Sequence, residues 1–197
     1  MNIGKREFLR LTAAAAAALT LAACGGGDDP ATSSGGSGSG SAGGTGALTI
    51  TGTSNFPDAG TNLAPDAGVP PGSSFATTAG GLLNVGINSL VNGTVRFFSV
   101  PLVGTAPPAI NAVYTVITDG STPNGSALSL VATNALTAKT SSWSSESGTV
   151  KVTAISATSV DLLFTNVTFH PTPNADPAGA FATGKVILNG TVTIARR

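Results

Sequence analysis

From Ala47 to Arg197 the sequence is dominated by a period of two. Ala47-Leu48-Thr49-Ile50-Thr51 alternates, and Leu83, Val85 and Ile87 are spaced by Asn84 and Gly86. Thr94–Val100 and Val113–Thr118 are rich in β-branched and aromatic residues, and Ala127–Ala132 sets Leu128 and Leu130 on one face. Gly148–Ile155, Ser159–Phe169 and Ala180–Ile194 follow; in the last, Val186, Leu188, Val192 and Ile194 share a face opposite Lys185, Asn189, Thr191 and Thr193. Successive side chains of an extended strand point to opposite faces, so each segment reads as a strand with one side buried. Pro57-Asp58, Pro70-Pro71-Gly72, Pro107-Pro108, Pro123-Asn124-Gly125 and Pro171–Pro177 punctuate them with turn chemistry. Short strands joined this way predict an all-β fold, an antiparallel β-sandwich, with a partly open antiparallel β-barrel as the alternative.

Three stretches admit two readings. Asn92-Gly93 and Asn189-Gly190 each suit a type I′ hairpin turn better than a strand interior. Ser126–Lys139 has Leu128, Val131, Ala135 and Leu136 at helical spacing, although its Ser, Thr and Asn content disfavours a helix. Phe97, Phe98, Phe164 and Phe169 are expected to pack in the core between facing strands.

Composition narrows the function classes. Only 9% of the residues are charged, nine Lys or Arg against nine Asp or Glu, where about 25% is usual. No basic patch for nucleic acid and no acidic tail can be assembled from so few. From Cys24 onward six Lys or Arg stand against eight Asp or Glu, a net charge of −2. One cysteine excludes an internal disulfide framework, and with one histidine the chain has no basis for a multi-histidine metal site. No phosphate-binding loop or cofactor motif is present, so neither cofactor nor metal is expected.

The N-terminus carries an address. Met1-Asn2-Ile3-Gly4-Lys5-Arg6-Glu7-Phe8-Leu9-Arg10 is basic, and the uncharged run Leu11–Ala23 that follows has 13 residues. That is the length of a signal-peptide h-region, well short of the roughly 20 apolar residues needed to span a bilayer. Residues 1–23 are therefore expected to be a signal-peptide helix and are set aside from the fold. Leu21-Ala22-Ala23-Cys24 resembles the lipobox of bacterial lipoproteins, in which the chain is cut before the cysteine and the thiol receives a diacylglycerol. The resemblance implies cleavage between Ala23 and Cys24 and lipidation of Cys24. Two or three acyl chains, at about 0.8 kcal/mol per buried methylene, hold a protein on a membrane stably.

Lys5, Arg6, Phe8 and Leu9, with Arg10 and an alanine-rich h-region, resemble the twin-arginine export motif, Lys5 standing for its first arginine. The general secretory route is the alternative. Gly25 follows the cysteine in place of the aspartate that resembles an inner-membrane retention signal, which implies delivery to the outer membrane of a Gram-negative cell.

Residues 24–46 form the next unit. Gly25–Gly46, GGGDDPATSSGGSGSGSAGGTG, contains no apolar side chain larger than alanine, so it cannot bury enough surface to offset ordering. Such Gly/Ser chains behave as flexible coil, with a root-mean-square span here of roughly 25 Å. Ala47–Arg197, 151 residues, is enough for a single all-β domain. Its stretch from Ala112 to Ile194 resembles β-rich domains of exported bacterial lipoproteins of unknown function, a resemblance of pattern that brings no catalytic residues.

Candidate chemistry inside the domain is sparse. His170 could join Asp161 or Asp176 and one of 20 serines in a hydrolase, yet no Gly-x-Ser-x-Gly elbow accompanies it and a surface histidine at a strand end is the preferred reading. Pro57-Asp58-Ala59-Gly60 and Pro65-Asp66-Ala67-Gly68 repeat a good turn motif; two carboxylates on adjoining turns could meet at calcium, but the spacing of a calcium loop is missing. Trp143 and Tyr114 are the two rings able to stack on a sugar, with sandwich core as the more ordinary role for Trp143. Asn92, Asn124, Asn166 and Asn189 head glycosylation-type triplets that a Ser/Thr/Asn-rich chain produces by chance. The expectation is a non-catalytic, membrane-anchored envelope lipoprotein with a structural, adhesion or assembly role. Its partners would be the membrane and an envelope protein or glycan. A carbohydrate- or lipid-binding module is the alternative, and a hydrolase using His170 a remote one.

Overall fold

The computed structural model describes residues 44–57, 62–118, 125–172 and 182–197. Lys5, Arg6, Phe8, Leu9, Ala23, Cys24, Asp58, Asn124 and Asp176 lie outside them. The described elements are all strands: β1 (Thr45–Gly52), β2 (Asn62–Leu63), β3 (Phe75–Ala79), β4 (Leu82–Val91), β5 (Thr94–Val103), β6 (Val113–Val116), β7 (Gly125–Ser126), β8 (Ser129–Asn134), β9 (Thr140–Ile155), β10 (Ser159–Pro171) and β11 (Val186–Ala195). They form one sheet in the order β2-β1-β11-β10-β9-β8-β5-β4-β3, every neighbouring pair antiparallel. Off that path, β6 pairs antiparallel with the second half of β9 and parallel with β7. The sheet is not closed: β3 meets the continuation of β11 only at a single parallel bridge, Ala76 to Arg196.

Aromatic contacts show how the sheet is bent. Phe98 of β5 lies 5.5 Å from Phe164 and 5.7 Å from Phe169 of β10, ring centre to ring centre. In a flat sheet β8 and β9 would hold those strands roughly 14 Å apart, at about 4.8 Å per spacing. The sheet therefore turns back over its own inner face, and side chains from all the long strands meet in one core. Leu48, Ile50, Leu83, Ile87, Val100, Leu162, Leu188 and Ile194 are each completely buried there.

Two bulges make this geometry. On β9 the buried positions are Ser141, Trp143 and Ser145, then Val150 and Val152; on β10 they are Val160, Leu162 and Phe164, then Val167 and Phe169. Odd and even positions exchange in both strands. The exchange falls at Gly148, with φ 119°, and Asn166, with φ 48°, where the β9–β10 register shifts. An extra residue in a strand bends it and re-aims the side chains that follow. That is why Phe164 and Phe169, five positions apart, both reach Phe98. The Asn166 N–H donates to Asn189 Oδ1 at 2.7 Å and pins the bulge to β11.

The structure decides between the open readings. Asn92 and Gly93, with φ 48° and 73°, form the two-residue turn between β4 and β5. Asn189-Gly190 is instead interior to β11, where Gly190 has φ 136°. A side chain there would set its Cβ 2.5 Å from the Ala47 carbonyl oxygen. Ser126–Lys139 contains no helix; it holds the end of β7, all of β8 and the turn into β9. Phe97 is corrected to the outer face of β5, half-buried, whereas Phe98 points inward. Strand β1 begins at Thr45, two residues inside the expected spacer.

Candidate functional site

Hydroxyl groups are abundant in this chain, and the buried ones work as fasteners. The Ser145 Oγ accepts from the Leu128 N–H at 2.8 Å and donates to the Ile117 carbonyl at 2.7 Å, joining β9 to the segments that lead into β8 and out of β6. The Ser126 Oγ accepts from the Val103 N–H at 3.2 Å, and the Ser74 Oγ from the Asn88 N–H at 3.0 Å. All three side chains are fully buried. Each satisfies backbone groups that would otherwise be desolvated at a cost of about 1–3 kcal/mol.

Asp66 is likewise used by the chain itself. Its carboxylate accepts from the backbone N–H groups of Ser74 at 2.5 Å, Gly72 at 2.9 Å and Gly44 at 3.2 Å, clasping the start of β1 to the loop before β3. Partial burial alone would raise the carboxyl; the Ser74 N–H and hydroxyl and the Gly72 and Gly44 N–H groups outweigh it and hold the group below its ordinary value. A depressed carboxyl stabilises the fold above the unfolded-state value near 3.9 and loses that contribution as pH falls through its own lower value. Asp66→Asn is accordingly expected to flatten the acid limb of the stability–pH curve below about pH 4. Urea unfolding between pH 2 and 7 checks this: an acid limb as steep as the wild type's would show that Asp66 contributes nothing to it.

The two rings singled out from the sequence are inside. Trp143 is completely buried and stands edge-on to Phe56, 5.3 Å between centres at 81°. Its Nε1–H has no hydrogen-bond partner among the described residues. Tyr114 is 3% exposed, and burial pushes its phenol up from the usual range. They also lie apart, for Tyr114 pairs with Val150, seven residues along β9 from Trp143, roughly 23 Å of extended chain. Neither ring offers a face to a ligand, which corrects the stacking role considered for them.

His170 sits on β10 opposite Ser144, whose hydroxyl is shared with Thr172 at 2.7 Å. Asp161 is nine residues away on the same strand, at its other end, about 30 Å along an extended chain, so the triad imagined with it does not form. Close by, Lys185 donates to Glu146 at 2.8 Å, both side chains being solvent-accessible. That hydrogen bond and the Lys185 charge, with a smaller contribution from His170, hold the Glu146 carboxyl below its ordinary value. Among the described residues no group of three His, Cys, Asp or Glu is placed to hold a metal ion.

Among the described residues two concavities are notable. One, about 270 Å³, opens at the β8–β9 turn and is lined by Asn55, Thr94, Asn134, Thr137, Lys139 and Ser141. Ser141 is two positions from Trp143, and Phe56 follows Asn55, so the Phe56–Trp143 pair adjoins this mouth. The other, about 460 Å³, lies where β3 meets the end of β11, between Thr78, Pro107, Pro108, Ile155, Ser156 and Arg196. The Arg196 guanidinium donates to the Ser156 carbonyl and, at 3.0 Å, to Thr78 Oγ1. The Arg197 N–H donates to the Ala76 carbonyl at 3.0 Å, and its guanidinium stands 5.7 Å from the Phe75 ring centre. Sequence reasoning missed these arginines, since most of their partners are over a hundred positions away and no local pattern marks them.

Fully buried Arg96 escaped it too. Its Nε donates to Ser89 Oγ at 3.0 Å and its Nη2 to the Asn62 carbonyl at 3.4 Å. The run Thr94–Val100 has apolar residues in both phases, so alternation alone could not place Arg96 inward. No family model, curated protein or solved structure matches the chain.

Proposed function

We propose that this chain is an exported lipoprotein of the bacterial cell envelope, anchored through Cys24 and acting without catalysis as a structural, adhesion or assembly element. The observation that carries the reading is Leu21-Ala22-Ala23-Cys24 behind a short basic segment, followed by a spacer without large apolar residues that runs to the first strand at Thr45. The residues flanking the motif favour the twin-arginine route and delivery to the outer membrane. The domain supports the non-catalytic part, because its buried hydroxyls and Asp66 are engaged with backbone and His170 is far from Asp161. The back-folded, unclosed sheet favours a β-sandwich over a barrel.

Metabolic labelling with an alkynyl fatty acid, followed by intact mass measurement, tests the anchor. A labelled protein beginning at Cys24, with Cys24→Ser unlabelled, is the expected result. An unmodified chain with its leader still attached overturns the proposal. A second reading, a saccharide-binding module, draws on the amide- and hydroxyl-lined mouth beside the Phe56–Trp143 pair. It requires saturable binding on calorimetric titration with envelope glycans, weakened by Asn134→Ala at the mouth, and no heat of binding removes it.

A further inference from the structure

Most of the large apolar side chains exposed among the described residues are gathered at one end. Five large ones are exposed among the described residues: Leu82, Val103, Ile110, Val113 and Leu136. Leu82 and Val103 are direct partners at the end of the β4–β5 ladder. Ile110 and Val113 belong to the loop that leaves β5 and to the strand it enters. That loop also supplies Pro107 and Pro108 to the cavity shared with Arg196, so Leu82, Val103 and Ile110 lie toward the end of the sheet that bears the last two arginines, with Val113 beside Lys151. Leu136 alone is elsewhere, in the β8–β9 turn at the far end of β9.

The first described residues lie on the same side. Strand β1 starts opposite Thr193, near the end of β11 that leads into Arg196, so the chain enters the sheet from the direction of the arginines. We infer that this end of the domain, Leu82, Val103 and Ile110 with Arg196 and Arg197, rests on the anionic surface of the membrane to which Cys24 is attached.

Charge and apolarity both suit that occupant. From Cys24 onward the chain is net negative, yet three of its six cations, Lys151 opposite Val113 with Arg196 and Arg197, lie toward this end against Asp161 opposite Thr193, and a guanidinium beside aliphatic groups settles readily at a headgroup boundary. Three or four aliphatic side chains are too few to hold a free protein on a bilayer. A tethered one needs far less: at the roughly 25 Å expected of a Gly/Ser-rich sequence this long, the effective concentration is in the millimolar range, so even weak contact stays occupied.

This inference rests on the lipid anchor, and one experiment separates the two. Acylation consumes the thiol of Cys24, the sole native cysteine, so a cysteine introduced by Ile110→Cys becomes the one free thiol for a fluorophore. Leu136→Cys, at a residue 93% exposed, is the reference. The full mature protein is reconstituted into vesicles of phosphatidylglycerol and phosphatidylethanolamine carrying nitroxide-labelled lipid. Quenching at least threefold stronger at position 110 than at 136, and weaker in phosphatidylcholine vesicles, is the expected result. Equal quenching in protein that floats with the vesicles overturns the docking face and leaves the anchor standing. Protein that does not float overturns the anchor, and the docking face with it.

Discussion

Replacing Phe98 with alanine is expected to remove about 3–5 kcal/mol of folding stability, out of a total that for domains of this kind is about 5–15 kcal/mol. The ring is completely buried and touches two rings from a strand three places away in the sheet. Its loss leaves a cavity where the sheet folds back on itself, and neighbours anchored on separate strands cannot collapse into it. Phe97, one position along, has the same side chain but lies half-buried on the outer face, and Phe97→Ala should cost only about 1–2 kcal/mol. Denaturant unfolding of both variants measures the difference. Equal losses would show that the sheet does not turn back at Phe98 as described.

The second large effect is expected at a glycine. In Gly148→Val the new Cβ would lie 2.6 Å from the Val167 Cα and 2.7 Å from the Asn166 carbonyl oxygen, at φ 119°. Left-region backbone strain of about 1–3 kcal/mol adds to an overpacking cost of similar size. Both fall on backbone atoms of the facing strand, so no rotamer change relieves them. Gly93 is the comparison: its φ is 73° and nothing lies within 4 Å of where a Cβ would stand, so Gly93→Ala should cost only about 1 kcal/mol. Loss of amide-exchange protection around Ser145–Val150 and Phe164–Thr168 in Gly148→Val would localise the damage to the paired bulges. Unchanged protection there would show that the bulges tolerate a side chain.

Alternation carries most of the strand assignment, and its failures share a cause. The first half of β9, Thr140–Ser147, escapes it because the inward positions are Ser141, Trp143 and Ser145. Two small polar residues there erase the apolar signal, and only long-range partners explain why serine is buried. The parity exchange at Gly148 and Asn166 is equally hidden, since glycine and asparagine within a strand look like turn residues until a facing bulge is seen. Asn189-Gly190 shows the same ambiguity from the other side: turn chemistry serves a close approach between β1 and β11.

For function, the proposed acylation of Cys24 rests on contiguous residues, because proteolysis and thiol chemistry would read a short run of sequence. The seam arginines and the Asp66 clasp depend on contacts that no window of sequence contains. Trp143 is conspicuous as the sole tryptophan, yet rarity in composition says nothing about which face of a strand bears the ring.

The two margins of the sheet have a consequence for life in a crowd. Strand β2 contributes two residues and β3 five, with Ala76 of β3 already bonded by the chain's own Arg197. On the proposed lipid anchor, copies would diffuse in two dimensions and collide far more often than free ones, the setting in which unsealed β-edges recruit one another into fibrils. Short outer strands and a positively charged guard deny a colliding copy the long template that such growth requires.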